Sequence, residues 1–323
     1  MVVASCYQQE RSSALYRRRW DDNYLINLAV QEGSFVSEYR LDLKSFDVLE
    51  TMLRSDLEKN REMARRSMAR SGSTPISTAS RLGAALIMLA GGRRIEAMRT
   101  HGISESQAYK NLHDVVTAIN KHPNLAIDSG PNSGLLTERA ADFRSKSSHE
   151  LFSHCVGAID GLAIQIRAPN RKDSDNQLRF HSNSKKMYCI NVQGVCDAKC
   201  RFIGFTAKHV GSTNDSPAFE TGKLRDINRA LPFPMHWVGD NAYTSTETMM
   251  VPFPGSNLHL TAPQLEAFNF FQSQLRITIE RTFGIFIQRW GIFWTPLKFG
   301  LPFCVELIHA CIRLHNFCIN RSI

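Results

Sequence analysis

Apolar residues in the first 120 positions recur at the spacing of helices. Leu43, Phe46, Val48, Leu49, Met52, Leu53 and Leu57 fall at helical intervals and predict one helix. Thr78 to Leu89 reads as a second, ending at Gly91-Gly92. Arg93 to His101 reads as a third, stopped by Gly102, a residue suited to the left-handed cap of a helix end. Ser104 offers a side-chain oxygen to the free amides of a fourth helix, SESQAYKNLHDVVTAINKH, whose apolar positions are Ala108, Leu112, Val115, Val116 and Ile119. A helix, a glycine turn and a capped helix outline a helix-turn-helix. In that reading Gln107 and Lys110, near the start of the second helix, reach base edges or phosphates; the plainer alternative is a short helical packing with no DNA contact.

Residues 123–149 are rich in Ser, Gly, Pro and Asn and read as a linker. Beyond them the pattern changes to short apolar runs. Cys155 to Ile159 and Ala163 to Arg167 predict two strands around a turn at Asp160-Gly161; Met187 to Cys196 and Phe202 to Ala207 predict two more. Ser216 to Arg229 reads as helix, His236 to Val238 as a buried strand leading into Asp240, and Ala267 to Trp290 and Phe303 to Asn320 as two further helices. The expectation is a mixed α+β, or α/β, catalytic domain over 150–323, a helical domain over 39–122, the linker between them, and a loosely held arm over 1–38.

With 323 residues, the chain is long enough for two domains. No apolar run approaches the roughly 18 residues of a membrane span, so no membrane association is expected. The first 20 residues lack the form of a secretion signal. Eight cysteines in a chain of this length do not make a disulfide framework, so the protein reads as intracellular and reduced. Arg17-Arg18-Arg19 is a weak nuclear-import signal or simply an exposed triplet.

The formal charge of +9 suits a polyanionic partner. Its placement says more. From Gln165 to Arg201 eight Lys/Arg face three Asp, and Arg167, Arg171, Lys172, Lys185 and Lys186 follow closely on Asp160. A solvated loop is the ordinary reading of such a stretch; its neighbourhood to Asp160 favours a phosphate-facing surface.

Three carboxylates stand in distinctive settings: Asp160 in GAIDG, Asp240 in WVGDNAY and Glu280 in RITIERTFG. Phosphodiester chemistry needs an activated oxygen nucleophile, a stabilised phosphorus and a neutralised leaving oxygen, roles that two Mg²⁺ ions about 4 Å apart fill together. Mg²⁺ is a hard cation held by carboxylates and water. Two acids at strand ends and a third on a later helix can converge to hold it, with Gly161 and Gly239 permitting close approach. Taken singly, each acid has a commoner explanation. Asp before Gly is most often a turn residue, and Glu280 can pair with Arg276 one helical turn away. Order, element type and the basic stretch favour the site.

Other chemistry is poorly supported. Cys189, Cys196 and Cys200 with His181 and His209 match no zinc spacing. Cys304, Cys311 and Cys318 recur every seven residues as an apolar stripe. Neither a GxGxxG nor a P-loop is present, so no nucleotide cofactor is expected.

The segments VGAIDG, YCINVQGVCDAKCRF, GSTNDSPAF, WVGDNAY, FNFFQSQLRITIERTFGIFIQRW and IRLHNFCIN, in this order, resemble the catalytic domain of PIF/Harbinger-type transposases and Harbinger-derived nucleases. The likeness covers about residues 150 to 320, and GISESQAYKNLHDVV resembles the segment that precedes that domain. It implies an RNase H-like fold with a five-stranded mixed sheet. It also implies a triad of Asp160, Asp240 and Glu280 with Mg²⁺ (Mn²⁺ as an alternative), and Asp215 as a supporting acid or competing metal ligand. Arg276 and Arg281 would contact DNA phosphate or brace the helix. The implied activity is cleavage at terminal inverted repeats followed by attack of the freed 3′-OH on target DNA. The implied setting is the nucleus, with double-stranded DNA, a Myb/SANT-like accessory protein and a homo-oligomer as partners. Relatives usually carry Thr-His after the first Asp-Gly and a GDSGY-like second motif; here stand Leu162-Ala163 and GDNAY. Those departures motivate a rival expectation, a non-catalytic DNA- or protein-binding factor that keeps the fold.

Overall fold

The computed structural model describes residues 21–59, 62, 65, 66, 68, 69, 74–128, 133–171, 173–254 and 263–323. The Arg17-Arg18-Arg19 triplet and Lys172 lie outside the described residues.

The first half is helical: α1 Asp22–Gln31, α2 Phe35–Tyr39, α3 Leu43–Leu57, α4 Thr78–Leu89, α5 Arg94–Thr100 and α6 Glu105–Lys121. Three of these helices start on side-chain caps. Asp42 accepts from the Ser45 amide at 2.7 Å, Ser77 from Ser80 at 3.0 Å and Ser104 from Gln107 at 3.2 Å. Each satisfies an amide that has no partner within its own helix. Gly102, at φ 57°, ends α5 as its position predicts. α4 is buried from Ser80 to Leu89 because α3, α5 and α6 pack around it. Part of the expected arm is ordered. Ser80 donates to Asp22 at 2.6 Å, and Phe35 and Tyr39 bury their rings against Phe46.

The second half holds α7 Ser133–Arg144, β1 Cys155–Gln165, β2 His181–Ser182, β3 Met187–Cys196, β4 Phe202–Val210, α8 Asp215–Glu220, α9 Lys223–Arg229, β5 His236–Val238, β6 Met249–Met250, α10 Pro263–Arg289 and α11 Leu301–Asn320. The strands run in the order β4-β3-β1-β5-β6, with short β2 also on β3. β4, β3 and β1 are antiparallel; β5 and β6 continue parallel to β1. A mixed sheet in this order, with helices on both faces, is an RNase H-like arrangement.

Three expectations need correction. Asp160-Gly161 is no turn: β1 runs through it, because Asp160 pairs with Gly194 and Gly161 with Gln193 on β3. Two ladders along β1 outweigh the local turn preference of Asp-Gly. The stretch read as linker contains α7, whose Leu136, Ala140 and Phe143 are buried, with the helix packed on β1. The helix expected from Ser216 breaks at Thr221-Gly222 into α8 and α9.

The sheet separates two apolar clusters. The larger runs without a break from α3–α6 through Ala158, Ile164 and Val238 to α10 and α11. α6 docks on α11, where His113 stacks on Phe303 at 3.5 Å and Asn120 Nδ2 donates to the Glu306 carbonyl at 2.8 Å. The smaller cluster lies on the opposite face, with Ile159, Val195, Trp237, Phe219 and Tyr243. Among the described residues no helix is long and apolar enough to cross a membrane.

Candidate active site

The parallel register of β1 and β5 brings two of the expected acids side by side. Ala158 pairs with Val238. Two residues beyond this pair stand Asp160, still within β1, and Asp240, just past the end of β5, near enough for its charge to act on Asp160. Side chains alternate across a strand. Asp160 therefore shares the face of Ala158, a residue of the larger cluster against which α10 packs, and Asp240 follows Val238 of the same cluster. Each aspartate accepts from a nearby backbone amide. The Gly161 amide donates to Asp160 Oδ1 at 2.7 Å, and the Ala242 amide to Asp240 Oδ1 at 3.0 Å. Burial pushes the Asp160 carboxyl up to about 6; the Gly161 amide opposes this, Asp240 and Asp215 add to it, and Arg276 opposes it.

Asp215 approaches from the other face, at the first turn of α8. A Cβ built on Gly161 would lie 2.0 Å from Asp215 Oδ1. Glycine at this position thus admits the third carboxylate to the back of the strand. Asp215 Oδ1 accepts from Gln193 Nε2 at 2.7 Å and from Asn191 Nδ2 at 3.1 Å. Gln193 is fully buried, and the Tyr243 hydroxyl donates to its Oε1 at 2.6 Å. That bond fixes which end of the amide faces Asp215. Burial, then the carboxylates of Asp215, Asp160 and Asp240, push the Tyr243 hydroxyl well above its ordinary range. The phenol therefore stays a donor.

α10 lies beside the two aspartates. Gln272 Nε2 donates to the carbonyls of Gly239 at 2.7 Å and Met250 at 3.3 Å, tying the helix to the ends of β5 and β6. Arg276 and Glu280 follow on the same stripe at intervals of four. They pair with each other, Arg276 Nη1 to Glu280 Oε1, with the Glu280 side chain 46% exposed. Arg276 therefore acts on Asp160 by charge while it pairs with Glu280. Among the described residues no three His, Cys, Asp or Glu side chains converge closely enough to hold one metal ion. The donor set still fits a hard divalent cation: carboxylate oxygens, one of them on a half-buried carboxyl pushed up by desolvation. Gathering Glu280 into such a site requires its release from Arg276.

The basic candidates divide. Arg167, Arg171, Lys185, Lys186 and Arg281 are exposed, whereas Arg276 is partly covered by its pairing. Later members of the basic stretch serve the fold: Lys199 bridges Glu138 and Asp142, and Arg201 pairs with Asp197. Lys298, not anticipated from the sequence, joins Arg167 at a small cavity before α11. On α6, Gln107 donates to Asn111 at 2.7 Å, while Lys110 is exposed. Sequence reasoning also missed Asn191, Gln193 and Tyr243. Two amides two residues apart in the otherwise apolar CINVQGV put both on one buried face, a signal that was there to read.

Comparison with known proteins points to one family. Residues 159–316 match the family profile described as "DDE superfamily endonuclease". "Putative nuclease HARBI1" of Xenopus laevis is 22% identical over 174 residues, 52% of this chain and 47% of the relative. Its namesake in Rattus norvegicus is 23% identical over 173 residues, 52% of this chain and 46% of the relative. The match thus spans about half the length of these relatives. No solved structure matches the chain at a significant level.

Proposed function

Residues 159–316 belong to the DDE superfamily endonucleases, and from that premise we propose that this chain is a divalent-metal-dependent DNA nuclease of the transposase type. The observation that supports the reading is the β1–β5 register, in which Ala158 pairs with Val238, so that Asp160 and Asp240 each follow the paired residues by two.

On this reading Asp160 and Asp240 hold the metal, with Glu280 completing the site once Arg276 turns to a phosphate. Mg²⁺, or Mn²⁺ in its place, supplies Lewis-acid activation of the attacking oxygen and neutralises charge at phosphorus. Asp215 stays behind the strand, supporting Asp160 through Gly161. Arg167, Arg171, Lys185, Lys186 and Arg281 receive the DNA backbone by charge, without reading sequence. Gln107 and Lys110 on α6 are the candidates for further DNA contact. The transposase type also implies action at terminal inverted repeats, strand transfer by the freed 3′-OH, a nuclear setting and a Myb/SANT-like partner.

The test is cleavage of duplex DNA bearing the flanking inverted repeats, with Mg²⁺ and without. Wild type should cut and Asp160→Asn should not; equal cutting by Asp160→Asn and Glu280→Gln would remove the site assignment. One observation favours the rival, non-catalytic reading: Glu280 is engaged by Arg276. Under that reading the chain binds DNA without acid-dependent metal binding.

A further inference from the structure

A second cavity, of about 490 Å³, opens between α3, residues 124–128, α7, the β3–β4 turn and α11, and shares no lining residue with the carboxylate site. Four guanidinium groups reach it: Arg139, Arg201, Arg313 and Arg321. Two are already satisfied. Arg201 Nε donates to Asp197 Oδ2 at 2.6 Å, and Arg321 Nε donates to Ser45 Oγ at 2.6 Å. The other two are not. Arg139 is 6% exposed; its Nη2 donates to the Asp128 carbonyl at 3.3 Å, but its Nε has no acceptor among the described residues. Arg313 Nε is buried and equally without an acceptor there.

Asp197 cannot meet this demand. Its Oδ1 takes the amides of Lys199 and Arg201, each at 2.9 Å, and its Oδ2 takes Arg201. Asp197, Asp128 and Glu138 act on Arg139 by charge, but burial outweighs them and none of them accepts from its Nε; an anion of matching geometry relieves that cost. The rest of the wall is mixed: Asp128, Asn124, Asn316 and Asn320 line it together with an apolar patch of Met52, Leu125, Ile127, Leu135 and Phe317. The volume falls within the roughly 300–1,000 Å³ usual for small-molecule sites.

We propose that this cavity binds a nucleoside phosphate, its phosphate between Arg139 and Arg313 and its base against the apolar patch. The chain has no glycine-rich phosphate loop, so recognition rests on guanidinium groups instead. The same chemistry is carried by a free nucleotide and by the 5′-phosphorylated end of a DNA strand.

The experiment is calorimetric titration of the full chain in EDTA and high salt, which removes metal-bridged binding and weakens surface attraction. The probes are ADP, pyrophosphate and adenosine. ADP should bind saturably and at least about tenfold more tightly than either fragment, and Arg313→Gln should weaken it by roughly tenfold or more. Arg139→Gln should do the same where it folds, and Arg225→Gln, whose partner is Asp226 on the surface, should change nothing. Absence of ADP binding up to millimolar concentration, equal affinity for pyrophosphate, or an unchanged affinity in Arg313→Gln overturns the proposal. A 5′-phosphorylated oligonucleotide that displaces ADP better than its unphosphorylated twin identifies the strand end as the source; failure of both identifies the free nucleotide.

Discussion

The Asp215 carboxylate occupies the space that any side chain at Gly161 would need: a Cβ there would stand 2.0 Å from Asp215 Oδ1. Gly161→Ala must therefore move Asp215, or the strand that carries Asp160. We expect a loss of about 1–3 kcal/mol in stability, the usual cost of overpacking, together with weakened Mn²⁺ binding. Urea unfolding and a Mn²⁺ titration check the two effects separately. A variant as stable as wild type would show that α8 gives way freely.

Tyr243 and Gln193 extend that relationship inward. Tyr243→Phe removes the donor 2.6 Å from Gln193 Oε1 and leaves a buried acceptor unpaired. The expected cost is about 1–3 kcal/mol, with an unchanged urea dependence. Released from Tyr243, the Gln193 amide can turn its oxygen toward Asp215, so the substitution should also lower DNA cleavage. Unaltered stability and cleavage together would show that this chain of hydrogen bonds is idle.

Asp160 gives the metal-free protein a pH signature. Its carboxyl titrates at about 6 in the folded chain against an ordinary value of 3.8. Between those values the folded state holds a proton that the unfolded state has lost, so the group's contribution is complete below about pH 4 and is lost as pH rises through 6. Asp160→Asn removes the charge. Without metal, its stability advantage over wild type should grow from pH 4 to pH 6 and then level off. Saturating Mn²⁺ at pH 7.5 should reverse the order, because only wild type then gains from binding. Chemical denaturation at a series of pH values reads both signs.

His315 pulls the other way. It is fully buried, bonded through Nε2 to the Cys200 carbonyl at 2.8 Å, and burial presses its pKa from 6.5 to about 4. Below pH 6.5 the unfolded state takes a proton that the folded state refuses, so stability falls as pH drops from 6.5 toward 4. His315→Gln should be less stable at pH 7 and lose less between those limits, as measured by the same denaturation series.

Much of this was legible locally. The cap at Ser104, the stop at Gly102 and the strand leading into Asp240 depend on neighbours a few residues away, and the sequence shows them. The pairing of Arg276 with Glu280 was readable too, from their spacing of four. What failed depended on distant partners. Asp160-Gly161 looks like a turn until β3 and β5 are laid beside it. The Ser, Gly and Pro around α7 hid the three buried positions that dock it. Gln193 and Tyr243 stand 50 residues apart, and their hydrogen bond has no local trace.

The central claim is that Asp160 on β1 and Asp240 just past β5 form a metal-binding pair. It is tested most directly by Mn²⁺ titration of the purified full chain at pH 7.5, followed by electron paramagnetic resonance. The account predicts saturable binding by wild type and a loss of tenfold or more, about 1.4 kcal/mol, in Asp160→Asn and Asp240→Asn alike. Undiminished Mn²⁺ affinity in both variants, with their folds intact by circular dichroism, would contradict it.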